Sequence, residues 1–529
     1  MTKVYLRQDV QIEPLIDSWY AWSHLIPPAT AARNITNRHV RIMQSYIAAP
    51  SVHANAVRNP KMLGGPFIDY NGGRVDEIKD LLSNTLANRA DLVSLSEAIG
   101  ELDKTLQANA KGQSLFKLYP AVPDALRGLV ELVYDLNHHP SFRIIEPLIY
   151  RSDYGRPDGQ SVLLSQISGD DRPFVLSTPR LSHPNSLNLK LPFRHEALDA
   201  LFAAKTKPTV FEDLADLCQI SKQERSLFCS YFTETEPQPY SRYTGAGVRW
   251  RYFGHACILL ETAALNILVD PVLSYTYESG ISRYTYADLP DRLDYVLITH
   301  NHQDHVLLET LLQLRHKIER LVVPRSGGGG LQDPSLKLTL EHIGFKHIVD
   351  LDELERLDFD CGSVTGVPFF GEHADLNVRT KLGYLVELGQ HRLLFAADSC
   401  NIEPRVYERL HSELGDVHTL FIGMECDGAP LSWIYGPLHT HSIERAYDES
   451  RRLNGSNCAQ VMSIIESLKS SNVFVYAMGQ EPWLRYIMSV VYTPDSNPIV
   501  QSKLLLEACR QRGISAERLF GEREMVLAI

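Results

Sequence analysis

The 529-residue sequence is short of three things, and each shortage removes a class of function. It has no run of about eighteen consecutive apolar residues, so no membrane span is expected. The opening stretch Met1–Asp9 carries no apolar leader core, and a cytoplasmic location is the expectation. Cysteine is sparse: eight residues, scattered and without a Cys-x-x-Cys pair, which predicts reduced thiols rather than a disulfide framework. Positive charge is also short. With 52 Lys and Arg against 64 Asp and Glu, the net charge is −12, a poor match to nucleic acid, whose binding needs cations to displace counterions from phosphate. The four glycines 327–330 lack the Lys-Ser/Thr that completes a phosphate-binding loop, so they predict a mobile turn.

What remains is an ordinary globular composition, 44% apolar and 22% charged, on a chain too long for one core. Apolar residues at helical spacing predict two consecutive amphipathic helices over residues 75–110. Leu126, Leu129, Leu132 and Leu136 predict a further helix opened by Pro123-Asp124, with His138-His139 at its end. The polar, Pro-bearing segment 234–240 predicts a linker. A mixed α+β domain is therefore expected over residues 1–240, and a catalytic domain over 241–529.

The densest chemistry lies at Thr299-His300-Asn301-His302-Gln303-Asp304-His305, directly after the strand-like run Leu293–Leu297. Two imidazoles two residues apart on an extended chain face the same way and can grip one ion. Asp304 and His305, where the chain turns, can reach a second. The spacing His-x-His-x-Asp-His resembles the signature of the metallo-β-lactamase superfamily. That resemblance implies an α/β fold, the αβ/βα sandwich, and further ligands downstream.

In such a fold a third ligand for the first ion falls due at Gly371-Glu372-His373, and the usual choice is His. Neighbours on an extended segment point opposite ways, so one of Glu372 and His373 reaches the metal; the residues alone leave the choice open. Asp398, after the strand-like Arg392–Ala397, takes the place of a carboxylate bridging both ions. A last ligand is expected from His439, with His441 as its rival. The resemblance also gives Asp270, at the end of an early hairpin, a supporting role behind the metal loop. His255, a lone Gly-His at a strand end, is expected to be a hydrogen-bonded structural or pocket residue and not a ligand.

The ordered set His300, His302, Asp304, His305, Glu372 and Asp398, with residues 423–431 and 476–484 and the long N-terminal part, resembles a narrower family over essentially the whole chain. It is the di-iron β-hydroxylase family of nonribosomal peptide biosynthesis, known from the chloramphenicol pathway. The resemblance makes Glu372 the third ligand of the first iron, and with Asp398 it becomes part of the catalytic machinery. It implies two irons, oxo-bridged when oxidised, O₂ as co-substrate, an external electron donor, and an amino acid held as a thioester on a carrier domain of a synthetase, with residues 1–240 serving substrate access, carrier docking or dimerisation; the family also suggests a homodimer. A carboxylate in place of a neutral imidazole favours iron over zinc, which agrees. The competing expectation is a zinc hydrolase of the same fold, of thioesterase or lactonase type, using His373.

Overall fold

The computed structural model describes residues 3–528. Its centre is a pair of seven-stranded sheets built from residues 248–527. In the first, Arg523–Leu527, Val248–Tyr252, Ile258–Glu261 and Asn266–Val269 pair antiparallel in that order, and Leu293–Leu297, Ile318–Pro324 and Ile348–Leu351 continue in parallel. The second repeats the plan. Arg356–Phe359, Gly362–Val367, Gly383–Leu388 and His391–Phe395 are antiparallel; Thr419–Gly423, Asn472–Tyr476 and Ser515–Arg518 follow in parallel. The core between the sheets is aromatic: Trp250 meets Phe421 and Phe474 edge-on at 5.3 and 4.7 Å between ring centres. Helices cover both outer faces, which gives the expected αβ/βα sandwich.

Coverage on both faces explains the apolar strands. Along Leu293–Leu297, Tyr295 and Leu297 join the inner core while Val296 joins the outer one, so the strand reads as a run and not an alternation. That outer core is continuous with the N-terminal part, uniting Val296, Leu308 and Leu311 with Trp19, Val162 and Phe193.

Residues 3–233 form two small sheets, a separate hairpin and several helices. The helices Val75–Asn88 and Ala90–Asn109 stand where periodicity places them. The helix expected from Pro123 does not form. Asp124–Leu126 is one short helical turn, and Val130–Tyr134 pairs with Pro140–Ile144 as a hairpin whose turn holds His138 at φ +62°. The three-residue spacing of leucines masked the β pattern of Val130, Leu132 and Tyr134; only the first two of these face the core cluster as fully buried side chains.

A buried ionic cluster ties the N-terminal part to the helix that follows the metal loop. Arg172 bridges Glu13 and Glu309 at 2.8 Å each, Arg180 holds Glu13 at 2.9 Å, and the hydroxyls of Tyr20 and Tyr275 donate to Glu309 at 2.7 and 2.6 Å. Each charge is paired, as burial demands. Glu309 lies four residues beyond His305, so the two parts of the chain are locked together next to the metal loop.

Candidate metal centre

The sheet topology decides which residues meet. Strands Val248–Tyr252, Asn266–Val269 and Leu293–Leu297 run in one direction, so the residues after them, His255, Asp270 and 299–305, emerge at one edge of the first sheet. In the second sheet Gly362–Val367, His391–Phe395 and Thr419–Gly423 likewise deliver Glu372, Asp398 and Glu425. The two edges face each other, and three groups of buried ligand atoms form there, each with its atoms within 4.8 Å: His300, His302 and Glu372; His300, His305 and Asp398; His255, Asp304 and His305.

The ring orientations are fixed from behind. Asp270 accepts the backbone N–H of Thr299 at 2.8 Å, its hydroxyl at 2.6 Å and Nδ1–H of His305 at 2.8 Å. Nε2 of His305 is thereby left to face Asp398 Oδ2 at 3.2 Å and Asp304 Oδ2 at 3.9 Å. His302 uses its nitrogens the other way round: Nε2 meets the hydroxyl of Tyr435 at 3.1 Å, and Nδ1 points at Glu372 Oε1, 2.8 Å away. His300 Nε2 lies 3.7 Å from Glu372 Oε2 and 4.0 Å from Asp398 Oδ2. His255 Nε2 stands 3.1 Å from Asp304 Oδ2.

The Glu372-His373 pair does not lie on an extended segment. Gly371, Glu372, Ala374 and Asp375 all have positive φ, between +52° and +69°, and this left-handed turn projects Glu372 into the ligand group. His373 instead stacks on the His302 ring at 4.5 Å, with Nδ1 near its own loop's Gly371 carbonyl at 3.2 Å. Backbone strain at a non-glycine residue is a feature that clusters at functional sites.

The expectation for His439 is corrected. It joins none of the three groups. Its segment is drawn to the N-terminal helices instead: Arg33 donates to the His439 carbonyl at 2.6 Å and Asn37 to that of Pro437 at 2.8 Å. His441 is largely exposed and pairs with Asp103 at 2.8 Å. His255, expected to be a structural or pocket residue, instead joins Asp304 and His305 in one of the three groups. The signal was there in strand parity, since Gly254-His255 ends a strand running the same way as the one that ends at Asp270. Tyr435, holding His302, carried no sequence signal at all.

The electrostatics suit cations. Burial, then the neighbouring imidazoles, hold the pKa of His300 well below its ordinary value; burial holds that of His302 at about 4. Burial works against charge on His305, but Asp398, Asp270 and Asp304 outweigh it and raise its pKa. Burial, then Asp398 and Asp304, push Glu372 up. Burial, then Asp398, does the same to Glu425, a fourth carboxylate that sequence reading did not single out. Several donor atoms have no hydrogen-bond partner: His300 Nε2, His255 Nε2, Glu372 Oε2 and Asp398 Oδ1. Buried polar atoms are rarely left so, and a converging set of them fits two metal ions with Asp398 between.

The comparison with known proteins decides the family. The chain is 42% identical over 532 residues, 99% of both chains, to the 4-amino-L-phenylalanyl-[CmlP-peptidyl-carrier-protein] 3-hydroxylase of Streptomyces venezuelae. The chain belongs to the di-iron β-hydroxylases. Residues 5–237 of this hydroxylase match the di-iron non-heme β-hydroxylase N-terminal domain, and residues 265–441 the β-lactamase superfamily domain. Its structure superposes on the crystal structure of CmlA, a di-iron β-hydroxylase from the same organism, with a TM-score of 0.94 at 41% identity, covering 99% of this chain and 100% of that one. A mutant of that enzyme gives a TM-score of 0.91 over the same shares. The hydroxylase is thus a di-iron oxygenase with a dinuclear metal site. Among the described residues no helix is long and apolar enough to cross a membrane.

Proposed function

We propose that this hydroxylase places a hydroxyl group on the β-carbon of an amino acid held as a thioester on a carrier domain, and that its two irons are held by His300, His302 and Glu372 on one side and by His255, Asp304 and His305 on the other. Asp398 stands between the two sets, and residues 1–240 serve access and carrier docking ahead of a catalytic part from 241 onward. The single observation that carries the choice of iron over hydrolytic zinc is the turn at Glu372. A left-handed backbone delivers a carboxylate to His302 Nδ1 at 2.8 Å and turns the adjacent imidazole aside. The carrier-bound substrate is supported by the relative of 42% identity, whose own substrate is an aminoacyl group on a peptidyl carrier protein.

When bound, the irons supply O₂ activation and the oxidising power to break a C–H bond, chemistry that no side chain here provides. The chain's residues do the rest. Asp270 keeps the proton of His305 on Nδ1, and Tyr435 anchors His302 at Nε2. Glu372 presents one oxygen to His302 and keeps Oε2 unpartnered, so the carboxylate is free to bind through one oxygen or two. The ligand side chains are themselves buried, which keeps bulk water from them. Incubating the reduced protein and O₂ with a panel of aminoacyl-loaded carrier domains, and reading the mass of the bound amino acid, tests the reading: a gain of one oxygen is expected. Release of the amino acid without gain of oxygen would establish the zinc thioesterase instead.

A further inference from the structure

A cavity of about 1220 Å³ lies away from the metal ligands, between the helical run Pro28–Ala48 and residues 430–442. The run carries one wide π-helical turn, Ile35–His39, and lines the cavity with Arg33, Arg38 and Arg41. Such turns within α-helices recur at functional sites.

These arginines are anomalous in this protein. Arg33 and Arg38 are only 7% and 8% exposed. Arg89, Arg180, Arg251 and Arg315, equally buried, are each paired with a carboxylate. Arg33 and Arg38 have only neutral partners. Arg33 donates to Ser96 and to the His439 carbonyl, and Arg38 to the carbonyls of Trp433 and Ile434. Nε of Arg33 and Nη1 of Arg38 have no partner. Burial lowers the pKa of Arg38 to about 10, and burial with the like charge of Arg41 lowers that of Arg33, against a smaller opposing effect of Asp103. A buried cation without a counter-ion is costly. The acids lining the cavity, Glu97 and Glu101, stand exposed at its rim with Lys104.

We propose that this cavity is a phosphate-ester seat, in which Arg33, Arg38 and Arg41 hold the phosphodiester of the phosphopantetheine arm that brings the substrate. The proposal rests on the carrier-bound reading above. Guanidinium groups are suited to phosphate because their planar fork meets two oxygens at once. The position is right as well. Helix Ser432–Tyr435 separates the cavity from the metals by a single turn: Arg38 grips the Trp433 and Ile434 carbonyls while the next residue, Tyr435, reaches His302. An arm anchored at its phosphate on one side of that helix can extend its thioester round to the other. Trp433 and Phe174, stacked at 6.1 Å, offer an apolar face for the arm's carbon chain.

Calorimetric titration of the iron-loaded protein with phosphopantetheine, with pantetheine and with inorganic phosphate tests this without relying on turnover. Phosphopantetheine should bind at least about tenfold more tightly than either of the others, as charge-assisted hydrogen bonds to one phosphate imply. R41Q, at an exposed position where folding is safe, should lose most of that preference with pantetheine affinity unchanged; R38K, which keeps charge but not the fork, should lose part of it. Equal affinity for phosphopantetheine and pantetheine, equal affinity for inorganic phosphate, or an unaltered R41Q each overturns the proposal. If the preference holds and R41Q abolishes it while no carrier-bound amino acid gains oxygen, the seat stands and the hydroxylation reading fails.

Discussion

Asp270 carries the imidazole of His305: Oδ2 accepts from Nδ1 at 2.8 Å and from the Thr299 hydroxyl at 2.6 Å, and Oδ1 accepts the Thr299 backbone N–H at 2.8 Å. Both residues are fully buried, so no water competes for the carboxylate. The pair sets which nitrogen of His305 is free, and one strand end thereby controls a ligand that another strand end supplies.

Replacing Asp270 with Asn keeps the shape and removes the charge that favours Nδ1–H. D270N should bind iron roughly 10–100-fold more weakly, with the protein still folded. Iron retained after dialysis against a graded chelator series measures it; wild-type retention would refute the orienting role.

Glu372 and His373 make a sharper pair of tests. E372A removes the carboxylate that faces His302 Nδ1 at 2.8 Å and should abolish hydroxylation with loss of iron from the first site. H373A removes a ring that stacks on His302 at 4.5 Å, so it should lower activity by roughly tenfold or less, in line with about 1 kcal/mol for such a contact. Single-turnover hydroxylation alongside iron stoichiometry ranks the two. The reverse ranking returns the third position to histidine.

His255 and Asp304, 3.1 Å apart, are predicted to hold the second iron. H255A and D304A should each fall from two irons per chain to one, while H439A keeps both, since His439 sits in the far cavity. Iron analysis with Mössbauer spectra of the enriched protein separates mononuclear from dinuclear sites. Loss of iron in H439A with retention in H255A would reverse the correction made from the structure.

These assignments show why part of the site was legible in sequence and part was not. Residues 299–305 are contiguous, and their side-chain geometry follows from an extended chain leaving a buried strand, so spacing alone exposes them. Asp398 and Glu372 follow strands of the second sheet, and a resemblance in motif order was needed to connect them to the first. His255 is a single histidine at a tight turn, φ +51°, forty-five residues before the loop it joins, and only the direction of its strand betrays it. The expectation for His439 failed for a different physical reason: Arg33, Asn37 and Arg38 compete for its segment's carbonyls from nearly four hundred residues away, which no local pattern records. The hairpin at Val130–Ile144 was lost in the same manner, because leucines spaced by three imitate a helix until tertiary pairing decides.

Glu146 offers a pH test at the seam between the two parts of the chain. It accepts the backbone N–H of Ser335 at 2.8 Å, and burial, with Asp333 nearby, raises its pKa from 4.5 to about 7. The unfolded carboxyl therefore releases its proton near pH 4.5, while the folded one keeps it to about pH 7. In that window the native state binds more protons, so this group's stabilising contribution is complete below 4.5 and is lost as pH rises through 7. The loss amounts to about 3.5 kcal/mol at most, taking about 1.4 kcal/mol per pKa unit. E146Q retains an acceptor for Ser335 and has nothing to ionise. Its urea midpoint should match wild type near pH ~5 and exceed it near pH ~8, the gap opening across the titration of Glu146. Parallel midpoints at both pH values would show that Glu146 is ionised in the native seam.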